Sequence, residues 1–335
     1  MAEISKKSLE ATKNNHYVWA YYMKRWSPDN KQVFYTSKKN KKTAFDSVKN
    51  VAVERDFYRV EYLTPTHIEA IKSFSKESPQ ELHKQHMFYL SDFLLMQNLE
   101  ARYQQVNKKD DTTDKMLEAW RSNGIERLHS AHEKEVQIII TALAEHDLSV
   151  LNDNNNMCFF MQFLAQQITR TKTFKSKVLT SLSNNAATEK EKHLANAMKE
   201  CWWFISYMFG MNIGSSIFLD RYNDNHCLLI NNTEISFITS DQPVINVHLA
   251  VTDEIKPPKE HECDLYYPIS PTVAYMVNKS NRFPRGKVQV SVDIVEEMNI
   301  KIAKQANVHI IGNSEESLKA YKKYVGINLE KVKNT

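Results

Sequence analysis

Glycine is scarce in this chain, with six in 335 residues where an average protein carries about 7%. They are Gly124, Gly210, Gly214, Gly286, Gly312 and Gly326. None forms the close-set runs that let a backbone approach a pyrophosphate or wrap a triphosphate. Dinucleotide-binding oxidoreductases, P-loop ATPases and protein kinases are excluded on that ground. With 42% hydrophobic and 25% charged residues the chain can bury a sizeable core, and global disorder is excluded too.

Net charge is only +4, too little to demand a polyanionic partner. The charge is uneven, however. Residues 1–50 hold eleven Lys or Arg against four acids, densest at Lys38, Lys39, Lys41 and Lys42. This lysine tip reads as a hairpin end that is either a solvated turn or a phosphate-contacting loop. Cys158, Cys201, Cys227 and Cys263 form no Cys-x-x-Cys pair, which fits buried thiols in a reducing cytoplasm. The first residues, MAEISKKSLE, lack the apolar run of a secretory signal. Residues 201–219 carry no charge, approaching a membrane span in length. Asn212, two glycines and three serines within them favour a buried helix end passing into a loop and strand, so no membrane partner is expected.

Patterning divides the chain into a basic helix and hairpin at 1–65, a helical region at 66–212 and an α+β region at 213–335, integrated as one domain. The hairpin pairs Gln32 to Thr36 with Val48 to Val53. Helices are expected from the Ser78-Pro79 cap onward and over 114–147, 157–182 and 188–209. Strands follow at 227–230, 234–239, 244–248, 266–269, 273–277 and 288–292. A helix at 296–305, a strand at 308–311 and a last helix at 315–324 close the chain. Segregated helices and antiparallel-type strands make the fold class α+β, with an N-terminal hairpin, a central helical bundle and a mainly antiparallel C-terminal sheet.

The histidine pairs His83/His86 and His129/His132 sit at helical spacing among charged neighbours, and surface histidines are the expectation for both. No His-Glu-x-x-His or other metal-ligand spacing occurs. Arg-to-His spacings of five residues at Arg127/His132 and Arg221/His226 are no more than chance provides. The strongest local signal is Thr239-Ser240-Asp241-Gln242-Pro243, where a strand ends at a proline turn and places Ser240 and Asp241 at its edge. Such residues either serve a pocket or close a local Asx turn. Ser270, between Pro268 and Pro271, ends another strand similarly. Gln167, Arg170 and Thr171 lie on an otherwise apolar helix, where an arginine makes a structural ion pair or binds an anion.

These pieces together resemble domain-of-unknown-function family 4238 over the whole chain. The resemblance rests on His16-Tyr17-Val18 with Tyr21, Tyr22, Arg25 and Trp26, on Asp56-Phe57-Tyr58, and on Gln167, Arg170 and Thr171. It rests also on Thr239, Ser240, Asp241, Pro243 and Val244, on Pro268, Ser270 and Pro271, and on Asn299. Trp19 and Lys172 stand where the family has proline. The family brings no established activity, so the resemblance implies a grouping of polar residues and no role for any of them.

The functional expectation is that these residues converge on one polar pocket performing hydrolytic or phosphoryl chemistry on nucleic acid or a nucleotide, in a nuclease-like manner. His16 is then the acid or base, Asp241 its orienting partner or the ligand of a divalent cation, and Arg170 and Ser240 bind the reacting group. Gln167, Thr171, Ser270, Asn299 and the four tip lysines bind substrate. The alternative is a non-catalytic anion or nucleotide sensor that works with a protein partner.

Overall fold

Side-chain caps set several helix starts. Thr64 accepts from the His67 amide while His67 Nδ1 accepts from the Thr64 amide, with Pro65 at the first helical position of Pro65–Lys76. Thr188 and Glu191 make the same reciprocal pair ahead of Glu189–Glu200, and Asp153 caps Asn154–Thr169. The chain's structure is a computed structural model that describes residues 9–36, 42–107, 109–251, 258–259 and 261–329. It is α+β, and it divides into two compact units.

The first unit comprises residues up to Asn15, Glu54–Ala131 and Val178–Asn212. It is helical, built on Pro65–Lys76, Gln80–Gln104, Glu189–Glu200 and the first part of Asp111–Ala144. Aromatic rings fill it. Phe93 meets Trp120, Trp203 and Phe204, and His129 lies between Tyr58 and Tyr207. His129 and His86 are therefore buried, contrary to the surface placement expected from their charged neighbours. Helical periodicity turns the charges outward and these rings inward. His86 also bonds the buried Ser75 hydroxyl at 2.9 Å.

The second unit comprises His16–Val53, His132–Lys177 and Ile213 onward. It holds a four-stranded antiparallel sheet in the order 43–47, 32–36, 310–312, 239–240 and a five-stranded sheet in the order 286–289, 225–230, 273–278, 264–270, 245–246. The larger sheet is antiparallel except where Gly286–Gln289 runs parallel to Asn225–Ile230. Phe237, Tyr266, Met276, Met298 and Ile302 belong to one buried cluster that includes the helix Val292–Gln305. At roughly 25 cal/mol per Å² of apolar surface, this burial is the main stabilising term of the unit.

The N-terminal hairpin exists, with Gln32 opposite Ser47 and Thr36 opposite Thr43, so its second strand is Thr43–Ser47 and not 48–53. After Ser47 the chain turns. The Asp46 carboxylate accepts from the Ser47 amide, Asn50 N–H bonds the Ser47 carbonyl, and Ala52 takes a positive φ of 53°. The expected strand at 234–239 narrows to Thr239–Ser240, because Asn299 satisfies the backbone on either side of Phe237.

The uncharged stretch is one helix, Trp202–Asp220, running through Gly210 and Gly214. It does not pass into a loop and strand. Gly214 is required there by close packing, since a Cβ would sit 2.8 Å from the Gln162 backbone. No helix among the described residues is long and apolar enough to cross a membrane.

Candidate functional site

In the Thr-Ser-Asp turn, Ser240 and Asp241 spend their polar atoms on the backbone. Asp241 is fully buried, and its carboxylate accepts from the amides of Asn307 and Val308 at 2.7 Å and His309 at 3.0 Å. Burial raises its pKa while His309 and those amides pull it down. Ser240 Oγ closes a local turn with the backbone of Gln242. Thr239 bonds the Tyr22 hydroxyl at 2.6 Å. That hydroxyl gives its one hydrogen to the Pro268 carbonyl, so Thr239 is the donor between them. Asn299 ties the amide of Ile238 to the carbonyl of Ser236, and Ser270 Oγ accepts from the Thr272 and Val273 amides. Among the described residues no group of three or more His, Cys, Asp or Glu is placed to hold a metal ion.

The end of the helix Asn154–Thr169 is different, because there side chain meets side chain. Arg170, 3% exposed, donates Nη1 to Glu133 Oε1 at 2.7 Å and Nη2 to Gln167 Oε1 at 2.6 Å. An arginine this deep needs such a carboxylate. Burial holds the Glu133 carboxyl above its usual range, against the pull of Arg170. The helical segment expected across 157–182 breaks here. The Thr171 hydroxyl shares its single hydrogen between the Ile168 carbonyl at 2.8 Å and Gln242 Oε1 at 2.5 Å, and accepts from the Phe174 amide in the first turn of the next helix, Lys172–Asn185. Lys172 is the first residue of that helix, and Trp19 has a φ of −59°. Both are positions that proline also suits.

Two imidazoles complete this cluster. His16 and His132 each titrate below a normal histidine, first because burial disfavours the charged ring and then because the Arg170 charge repels it. His16 Nε2 bonds the Val48 carbonyl at 3.2 Å. A carbonyl only accepts, so the neutral ring carries its proton on Nε2 and Nδ1 is its basic nitrogen. Lys172 Nζ stands 4.8 Å from the ring centre of Tyr17, the neighbour of His16, and adds positive charge.

The structure thus brings His16, Gln167 and Arg170 into one electrostatic group, with Thr171 bonding Gln242 beside the Thr-Ser-Asp turn. Ser240, Asp241, Ser270 and Asn299 instead each hold backbone. Lys42 is exposed, and Lys38, Lys39 and Lys41 lie outside the described residues. Sequence reasoning missed Glu133 and His132. Their signal was in the helix pattern: Glu133, Val136 and Ile140 recur at i, i+3 and i+7, and the last two are buried. A glutamate on an apolar stripe needs a cation.

No curated protein and no solved structure matches this chain. The profile of a family described as "Protein of unknown function (DUF4238)" matches residues 14–316, nearly its whole length. The chain belongs to that family.

Proposed function

We propose that His16, His132, Glu133 and Arg170 form an acid–base site that hydrolyses a phosphate ester of a nucleotide or nucleic acid. The observation that carries this reading is the action of one buried guanidinium on two partly buried imidazoles, with a carboxyl of raised pKa balancing its charge. Perturbed groups of complementary type concentrate where protons are moved. His16 Nδ1 takes a proton from water as the water oxygen attacks phosphorus. The ester P–O bond breaks, and the leaving oxygen takes a proton from His132. That ring is protonated in the complex because a bound phosphate anion raises its pKa. Arg170 favours the added negative charge on the phosphoryl oxygens, and Gln167 fixes its fork. Lys172 and the exposed Lys42 attract the polyanion. The four cysteines form no disulfide, which suits work in a reducing compartment such as the cytoplasm.

The test is incubation of the purified chain with labelled RNA, DNA and nucleotides, with and without a divalent cation. Turnover that falls at least about 100-fold in His16→Ala and His132→Ala, with an unchanged melting temperature, is the expected result. Saturable binding with no product under any condition would contradict the enzymatic reading and assign the group to a sensor.

A further inference from the structure

A second polar site lies elsewhere in the same unit, where the end of the helix Trp202–Asp220 meets the strand Asn225–Ile230. A cavity of about 270 Å³ opens there, lined by Asn152, Asn154, Arg221, Tyr222, His226 and Arg285, with Leu151 and Met157 behind. Its two guanidiniums have no carboxylate partner among the described residues. Arg285 Nη2 donates to the main-chain carbonyls of Arg221, Tyr222 and Asp224, which fixes the side chain without neutralising it. The Arg221 guanidinium is stacked between rings, 4.0 Å from the Phe218 centre and 4.2 Å from that of Tyr222. Its Nη1 bonds the Phe218 carbonyl, its Nη2 donates to the Tyr222 hydroxyl at 3.2 Å, and its Nε has no hydrogen-bond partner among the described residues. The nearby carboxylate, Asp224, pairs with Lys279 at 3.5 Å and lies in the field of Arg285 without bonding it.

Behind these charges His226 is nine-tenths buried, with Nδ1 at 2.5 Å from the Tyr275 hydroxyl. Tyr275 is fully buried and its hydroxyl hydrogen must be placed. Donation to Nδ1 leaves the ring with its proton on Nε2, which has no partner of good hydrogen-bond geometry. Burial and the Arg285 charge hold His226 neutral, near a pKa of about 4. The wall of the cavity therefore offers donors and positive charge, and two like charges lining one cavity are relieved by an anion. The exposed ring of Tyr222 offers a stacking face, and the Asn152 amide offers both donor and acceptor, while Asn154 Oδ1 already accepts from Arg221 Nη2 and the Tyr222 hydroxyl.

We infer that this cavity binds a small phosphate monoester bearing a planar ring, of which a nucleoside monophosphate is the simplest. The phosphate sits on Arg285 and Arg221, and the ring stacks on Tyr222. The volume lies just below the usual ligand-pocket range of roughly 300–1,000 Å³, which favours one small monoester over a polymer. This site does not depend on the acid–base group at Arg170.

Calorimetric titration of the full chain with a nucleoside monophosphate, with inorganic phosphate and with the parent nucleoside tests it. Saturable binding of the monophosphate is expected, weakened about tenfold or more by Arg285→Gln and by a smaller factor in Tyr222→Leu, an exposed position where folding is not at stake. His16→Ala, which impairs the acid–base site, is expected to leave this affinity unchanged. The inference is overturned if the monophosphate does not bind, if both Arg285→Gln and Tyr222→Leu bind as the parent does, or if inorganic phosphate binds as tightly as its nucleoside ester.

Discussion

The Thr239–Asp241 turn and the helix end at Gln167–Thr171 look alike in sequence, each a short polar run inside apolar surroundings. In three dimensions they do opposite things. At the turn Ser240 and Asp241 satisfy main-chain groups, the Asp241 carboxylate taking three amides of the 307–309 segment, while Thr239 bonds the Tyr22 hydroxyl. At the helix end the partners are other titratable or amide side chains, Glu133 and Gln167, with two imidazoles in the field of Arg170. A buried carboxylate bonded to backbone is a clamp. A buried pair bonded to side chains keeps proton-transfer chemistry available, and only the identity of the partner separates the two.

A large effect that sharpens this contrast is expected at the clamp. Asp241→Ala strands three amides and should cost at least about 3 kcal/mol in urea denaturation. A loss below about 1 kcal/mol would mean the carboxylate holds nothing. At the helix end, Arg170→Met leaves Glu133 uncompensated and should cost about 3–5 kcal/mol. Arg170→Met with Glu133→Leu should recover most of that, because the pair is retained for charge and not for stability. A double variant as unstable as the single one would erase the distinction. Ser270→Ala removes a hydroxyl that caps an exposed turn and should cost about 0.5–1 kcal/mol. A larger loss would give that turn a role beyond its own backbone.

The elements were legible where a single physical rule decides them. Prolines, caps and apolar periodicity located the long helices, and short apolar runs between turn residues located the buried strands at 225–230, 264–270 and 273–278. Where two rules compete, the sequence reads ambiguously. Gly210 and Gly214 resemble helix stops, yet Gly214 lies within a helix because Gln162 packs against it. Val48 to Val53 has strand composition, yet Asp46 captures the chain into a turn. Of the polar set, Arg170 was recognisable from its apolar helix and His16 from its resemblance, but nothing local announces that Glu133, 37 residues upstream of Arg170, is its partner. The anion-type cavity at Arg285 was equally hidden, since it is assembled from three separated turns.

The central claim is that His16 and His132 share the field of Arg170 and are kept neutral by it and by burial. With a folded pKa below that of the unfolded ring, such a histidine stabilises the fold above pH 6.5 and withdraws that contribution as the pH falls toward its folded value. Ring-proton NMR titration of the full chain measures this directly. The account predicts midpoints for both imidazoles below 6.5, and a rise of both in Arg170→Gln. Midpoints at or above 6.5 in the parent protein, or midpoints that Arg170→Gln leaves in place, would contradict it.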